Sequence, residues 1–387
     1  DLVLAARGWE TACFTANAWI SDGLGLTRGF AFQDGSWRRA GGAGRNFSFV
    51  HRLLDRLGLI GGDKGGALVA RRFAEWMTGR PRDARPAFVF LNFIEAHFPY
   101  HQLPQDFLHR YTDRPDRELE ALSMALMGQQ FGGPGRDPAR AGPPARDMYD
   151  GGVLYSDELL RRVVQALRER GTLDRTVLVV LADHGEVLGE RADFFGHGPS
   201  LHQESIGVPL LVRYPPALPA GARVEAPVST VGVFATVLDL AGVEPPPTLQ
   251  VGSLAPLARG DGGVRDTGPV LAERLRMSEL TGGADEGVLP VPYSGTERVR
   301  VFRRGPWKLI ELSTGAPQLY RLDEDPEERR DLAAAHPAEL ARLRAELEAA
   351  RARLGLPPLD ADLAAGGGAP ALDEATRERL RELGYVE

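Results

Sequence analysis

Apolar positions follow two rhythms along this chain. Ala87-Phe88-Val89-Phe90-Leu91-Asn92-Phe93 and Val177-Leu178-Val179-Val180-Leu181 are short, nearly unbroken apolar runs. Such runs are the pattern of strands covered on both faces, as in a parallel sheet. Leu154, Leu159, Leu160, Val163, Val164 and Leu167 recur instead at helical spacing and predict one helix face, closed by Gly171. Gly61-Gly62-Asp63-Lys64-Gly65-Gly66 lacks the Gly-Lys-Ser/Thr ending of a phosphate-binding loop and reads as the loop leading into a helix near 67–79. Residues 1–32 read as a strand and a loop punctuated by Gly23, Gly25 and Gly29. Residues 131–146, rich in Gly, Pro and Arg without periodicity, predict a surface loop or disordered insertion. Pro245-Pro246-Pro247 ends the strand, loop and helix alternation. Beyond residue 270 short strands are expected near 299–312 and 317–321, then a helix at 337–354. Gly366-Gly367-Gly368-Ala369-Pro370 reads as a linker to a last short helix near 373–383.

The bulk numbers narrow the class. At 387 residues the chain can bury a large core, and its length allows two or three domains. A net charge of −7 without a basic, aromatic-laced patch argues against a nucleic-acid partner. No apolar stretch approaches the ~18–20 residues that span a bilayer. The single cysteine, Cys13, excludes an intramolecular disulfide and a paired-thiolate metal site. Compartment and oligomeric state are open on these numbers.

Candidate chemistry sits where the apolar runs stop. The run 177–181 ends in Ala182-Asp183-His184-Gly185-Glu186, and ligands of open α/β sheets lie beyond the carboxyl ends of strands. Asp183 and His184 offer a metal one oxygen and one nitrogen. The run 87–93 leads into Glu95-Ala96-His97-Phe98-Pro99-Tyr100, where Pro99 stiffens the loop and biases Phe98 to extended geometry. His197 stands between Gly196 and Gly198, which let backbone approach a ligand closely. Three histidines on three loops suggest one pocket. The competing reading makes Asp183 a helix cap and each histidine a satisfied structural residue.

Five segments in order give the chain a resemblance to the sulfatase family, within the alkaline-phosphatase-like superfamily. Asp183-His184-Gly185-Glu186 resembles the metal half-site of its sulfatase and phosphonate-hydrolase branches. Gly196-His197-Gly198, with Glu204 and Val208-Pro209-Leu210-Leu211-Val212, resembles the segment that follows. His97-Phe98-Pro99-Tyr100 resembles the substrate-binding loop, and Tyr149-Asp150 with Tyr155-Ser156-Asp157 fits the preceding helix. Trp307-Lys308-Leu309-Ile310 and Leu319-Tyr320-Arg321-Leu322-Asp323-Glu324-Asp325-Pro326-Glu327-Glu328 resemble the family's C-terminal motifs.

The resemblance implies an α/β fold: a mixed, mostly parallel sheet flanked by helices over residues 1–260, a smaller α+β subdomain at 261–360, and a linker with a terminal helix at 361–387. It implies one divalent metal ion at Asp183 and His184, calcium foremost or else magnesium, with manganese or zinc as alternatives because imidazole is softer than oxygen. His97 and His197 would be catalytic and substrate-binding, with His197 on the leaving-group side, and Asn17 would touch substrate. The substrate would be a small-molecule or glycan sulfate ester. The family's nucleophile, a cysteine or serine in a Cys/Ser-x-Pro/Ala-x-Arg setting, has no counterpart here. Cys13 lacks that context and reads as a small buried hydrophobe in a strand. The chain opens at Asp1, and Gly8-Trp9-Glu10-Thr11-Ala12 resembles the segment after the nucleophile helix, so a truncated member is expected. Such a truncation would leave strand edges and apolar surface uncovered. His202, Gly207 and Gly232 depart from the family pattern, where tyrosine, arginine and aspartate are frequent. Phosphate or phosphonate ester hydrolysis, phospho-headgroup transfer, and a non-catalytic binding or scaffold role are the alternatives. His101, His109 and His336 read as surface or core residues.

Overall fold

A computed structural model describes residues 2–22, 25–36, 62–129, 137–191, 194–198, 200–249, 251–260, 267–274 and 297–360. The terminal helix expected near 373–383 lies outside these residues. The described residues form two compact units. One runs to Leu173 and includes Leu188–Gly196; the other comprises Asp174–Val187 and the residues from His197 onward.

In the first unit, strands β1 (Glu10–Thr15) and β2 (Phe32–Gly35) and, after helix α1 (Gly66–Gly79), strand β3 (Ala87–Asn92) make a parallel sheet in the order β2-β1-β3. Helices α2 (Asp116–Gln129) and α3 (Pro138–Glu169) follow. Val163 and Leu167 of α3 join Ala12, Phe14, Val69 and Phe73 in the core beside the sheet, as the helical spacing of the leucines and valines required. Further along α3, Met148, Tyr155 and Leu159 share a second core with Phe98, Tyr100, Leu119 and Leu126. The expectation of a loop across 131–146 is corrected for its described part. Asp137 accepts the N–H of Ala139 as N-cap, Pro138 takes the first turn, and Pro143 and Pro144 lie inside α3. Proline is tolerated where an N–H would be unpaired anyway, so proline content misled about this helix start.

In the second unit, β4 (Leu178–Leu181), helix α4 (Gln203–Ile206) and β5 (Leu210–Arg213) precede helix α5 (Gly232–Leu240). Among the described residues β4 pairs antiparallel with β5, which corrects the parallel partner expected for 177–181. The apolar run gave the strand but neither the direction of its neighbour nor full cover: β4 is only partly buried, and Leu181 and Leu211 are exposed. Strands β6 (Val270–Arg274), β7 (Val299–Arg304), β8 (Trp307–Leu312) and β9 (Gln318–Arg321) form an antiparallel sheet in the order β9-β8-β7-β6. Helix α6 (Pro337–Leu354) seals one face, with Leu343, Leu347 and Ala350 on Phe302, Leu309 and Leu319. Val299, Val301, Ile310 and Tyr320 pack on the other face with Leu201, the two-sided alternation that a pleated strand imposes.

Candidate active site

Asp183 and His184 emerge directly from β4. The Asp183 side chain is 84 % exposed, and one carboxylate oxygen lies 3.8 Å from His184 Nε2; the other accepts the His184 backbone N–H at 3.0 Å. His184 Nδ1 lies 2.9 Å from the Gly185 carbonyl oxygen. That contact assigns the proton to Nδ1 and leaves the lone pair on Nε2, the tautomer a metal ligand needs. A carboxylate and such an imidazole suit a divalent cation. Among the described residues no cluster of three His, Cys, Asp or Glu side chains assembles a complete cage. Asp183 and His184 offer two donors of suitable chemistry, and the remaining ligands of such a cation are not supplied by a described cluster.

His197 closes on this loop. Its ring stacks on that of His184, with centroids 4.2 Å apart, and its Nδ1 lies 2.7 Å from Glu186 Oε1. Gly196 and Gly198 on either side adopt φ of 125° and 108°, open to glycine at no steric cost. Burial pushes the His197 imidazole toward the neutral form, but the Glu186 carboxylate, with help from Asp183, reverses this and the pKa ends above the ordinary value. Histidine held by a buried carboxylate is the arrangement that fixes a tautomer and supports an imidazolium. In the sequence Glu186 stood only as the last residue of the Asp183–Glu186 motif; its position two residues after His184 was the available signal.

Gly185 is required by a close approach. A Cβ there would stand 2.1 Å from the Glu204 carbonyl oxygen, and its N–H donates to the Ser205 carbonyl at 2.7 Å. The loop after β4 thus lies on the backbone of α4.

His97 belongs to the other unit, in the turn after β3. Its backbone N–H donates to the Ile94 carbonyl at 3.1 Å, and its Nδ1 lies 2.7 Å from the Phe98 carbonyl oxygen. Phe98 and Tyr100, both buried, stack with ring centroids 4.0 Å apart and anchor the turn. Beneath it Glu95 is buried, accepting the N–H groups of Lys64 and Gly66 at 3.2 and 2.8 Å. The Lys64 ammonium donates to the Glu95 carbonyl at 2.8 Å. Asp63 adds a second cap to α1, accepting from Ala67 N–H at 2.7 Å and the Tyr155 hydroxyl at 2.8 Å. Burial, with Asp63 nearby, pushes the Glu95 carboxyl up to about 7 despite Lys64. His101, read as surface or core, is driven down to about 4 by burial and by Lys64.

The remaining candidates occupy ordinary structural positions. Asn17 Oδ1 accepts the Trp19 N–H at 2.9 Å, closing a turn after β1. Cys13 is buried in β1, and burial with Asp22 raises its thiol to about 12, which disfavours the thiolate a nucleophile needs. His202 is buried, with Nδ1 3.0 Å from Ser200 Oγ and its ring on Tyr320. His109 Nε2 lies 2.6 Å from an Asp116 carboxylate oxygen, and His336 stands at the N-cap position of α6 without a side-chain cap bond, its ring beside Trp307.

The sulfatase family model matches residues 55–243. An arylsulfatase K from Danio rerio is 33 % identical over 196 residues, 50 % of this chain and 34 % of the relative. An N-acetylglucosamine-6-O-sulfatase from Bacteroides thetaiotaomicron is 37 % identical over 110 residues, 28 % of this chain and 19 % of the relative. The chain spans about a third of the length of the arylsulfatase K relatives it matches. In fold, it is similar to the phosphonate monoester hydrolase of Agrobacterium radiobacter, with TM-score 0.68 and 24 % identity over 91 % of this chain and 80 % of that one. A structure in complex with D-glucosamine-2-N,6-O-disulfate gives TM-score 0.65 and 17 % identity over 94 % and 83 % of the two chains. The fold expectation is met: α/β with a parallel sheet, shared with alkaline-phosphatase-like sulfatases. On the family match over residues 55–243 and the curated relatives, this protein is similar to members of the sulfatase family.

Proposed function

We propose that the complete protein hydrolyses sulfate esters, with residues 183–197 contributing the leaving-group side of the active site. The observation that carries this reading is the Glu186–His197–His184 stack beside the exposed Asp183 carboxylate. Asp183 and His184 would hold a divalent cation, calcium foremost, which when bound would polarise the ester oxygens and neutralise their charge. Glu186 holds His197 by Nδ1 and turns the rest of the ring to the loop, so Nε2 is the atom that would carry a proton to the leaving oxygen. His97, fixed through Nδ1 on its own backbone, would contact the ester oxygens. Asn17, engaged in its turn, would contribute only a weak contact to substrate. No described residue is assigned as the attacking group, and Cys13 is unsuited to it.

The relatives lend support to one substrate class. One is named for N-acetylglucosamine-6-O-sulfate chemistry and a fold neighbour holds a disulfated glucosamine, which supports a sulfated sugar. A phosphonate or phosphate ester is the second reading, supported by the fold likeness to a phosphonate monoester hydrolase. The test is turnover of an aryl sulfate and an aryl phosphonate by the complete protein and its Asp183→Ala variant, both metal-loaded. Sulfate turnover lost in Asp183→Ala supports the proposal. Preference for the phosphonate selects the second reading, and unchanged activity in Asp183→Ala overturns the site.

A further inference from the structure

Two C-terminal motifs singled out in the sequence, the Trp307-Lys308 strand and the loop through Glu328, have no part in the chemistry above. Their charged members nevertheless meet. Lys308 Nζ lies 2.6 Å from Glu328 Oε1, and both side chains have 0 % exposure. The second Glu328 oxygen accepts the N–H of Gln203, the first residue of α4, at 2.6 Å. Lys308 also donates to the Gln203 side-chain oxygen at 3.3 Å. The pair therefore holds α4 by both backbone and side chain.

Glu328 does this at a strained position. Its φ of 52° makes it the sole non-glycine residue at positive φ among the described residues. Glutamate in the left-handed region persists only where its surroundings over-determine it. A buried ion pair, moreover, adds little net stability over an apolar pair of the same volume. Strain and desolvation together point to a geometric role. Downstream of the pair, α4 supplies the carbonyl of Ser205 to the Gly185 N–H at 2.7 Å, and Gly185 adjoins His184.

We infer that Lys308 and Glu328 are positioning residues: they hold α4 where the Gly185 N–H finds its acceptor, and so set the Asp183-His184 loop. The functional half of this inference rests on reading 183–197 as the ester site.

Amide hydrogen exchange on the full chain tests it, with Lys308→Met/Glu328→Gly as the main variant. Glycine accepts the positive φ without strain, and methionine fills the lysine stem without leaving a lone charge, so the sheet should fold. The expected result is faster Gly185 exchange together with metal affinity lowered by about ten- to a hundredfold, the usual reach of a supporting partner. Amides of the β7–β8 ladder should stay protected, and Mn²⁺ titrated alone is the metal probe. Glu328→Gln, which keeps an acceptor for Gln203, should protect Gly185 better than Glu328→Ala does. Unchanged Gly185 exchange in the folded double variant overturns the inference, as does faster exchange spread evenly over the β7–β8 ladder. Faster Gly185 exchange with no Mn²⁺ binding even by the parent chain would sink the metal-site reading while leaving the positioning role standing.

Discussion

Glu95 and Glu186 are both buried glutamates two residues from a histidine, one in each unit, yet their carboxylates do different work. Glu95 spends both oxygens on the N–H groups of Lys64 and Gly66, so it ties the start of α1 to the turn that carries His97. Glu186 spends an oxygen on the His197 ring, and the ring it holds lies against His184. Burial and sequence spacing are nearly the same in the two cases. What separates a structural carboxylate from a chemical one is the partner: backbone amides give a rigid loop, whereas an imidazole gives a group that can move a proton.

This contrast can be broken from either side. The largest expected effect is on His197. Replacing it with alanine should slow esters with poor leaving groups by about 10²- to 10⁴-fold, the range of general-acid catalysis. Activated aryl esters, which need no proton, should lose far less. Equal loss on both, measured as kcat, would remove the acid role from His197.

A smaller effect is expected for Glu186→Gln, which keeps the volume but weakens the grip on the imidazole. Turnover should fall about 10- to 100-fold while the melting temperature stays close to that of the parent. A large drop in melting temperature with normal kcat would make Glu186 structural, like Glu95.

The smallest effect on chemistry, and the clearest on stability, belongs to Glu95. Glu95→Ala leaves the buried amides of Lys64 and Gly66 without an acceptor, at about 1–3 kcal/mol for each buried unsatisfied group. The parent chain should also show a pH signature. With the carboxyl raised from 4.5 to about 7 in the folded state, the fold keeps a proton that the unfolded chain has already released within that window. Folding stability then declines as pH rises from 4.5 to 7 and levels off above it. Denaturant titrations across this window should find the slope in the parent and not in Glu95→Gln. An identical slope in both would assign the proton to another group.

How much of this was legible beforehand depended on the kind of signal. Helix α6 was readable to the residue, from Pro337 at its start to Leu354 before Gly355, because proline and glycine mark helix ends by their backbone geometry. Strands β7, β8 and β9 were legible more coarsely, as strand stretches near 299–312 and 317–321 that left the turn between Arg304 and Trp307 unmarked. The start of α3 was not, since Pro143 and Pro144 inside a helix violate the local rule and only the core packing of Ala141, Ala145 and Met148 overrides it. The antiparallel pairing of β4 with β5 was hidden for another reason: partner direction is a long-range property that periodicity does not encode. Around the site, Asp183, His184 and His197 announced themselves by residue type at a strand end and between glycines. The roles of Glu186, Gln203, Lys308 and Glu328 depend on contacts across 11 to 125 positions of chain, which one-dimensional spacing does not show.

The central claim is that Asp183, His184, His197 and Glu186 form one metal- and ester-directed constellation. Its most direct test is a Ca²⁺ titration of the full chain, repeated with Mn²⁺, followed through the ¹⁵N imidazole resonances of His184 and His197. The account predicts that the His184 Nε2 signal responds saturably to the metal, that His197 moves with it through the stack, and that both responses vanish in Asp183→Ala. Imidazole signals indifferent to either metal at millimolar concentration, or a response that survives Asp183→Ala, would contradict it.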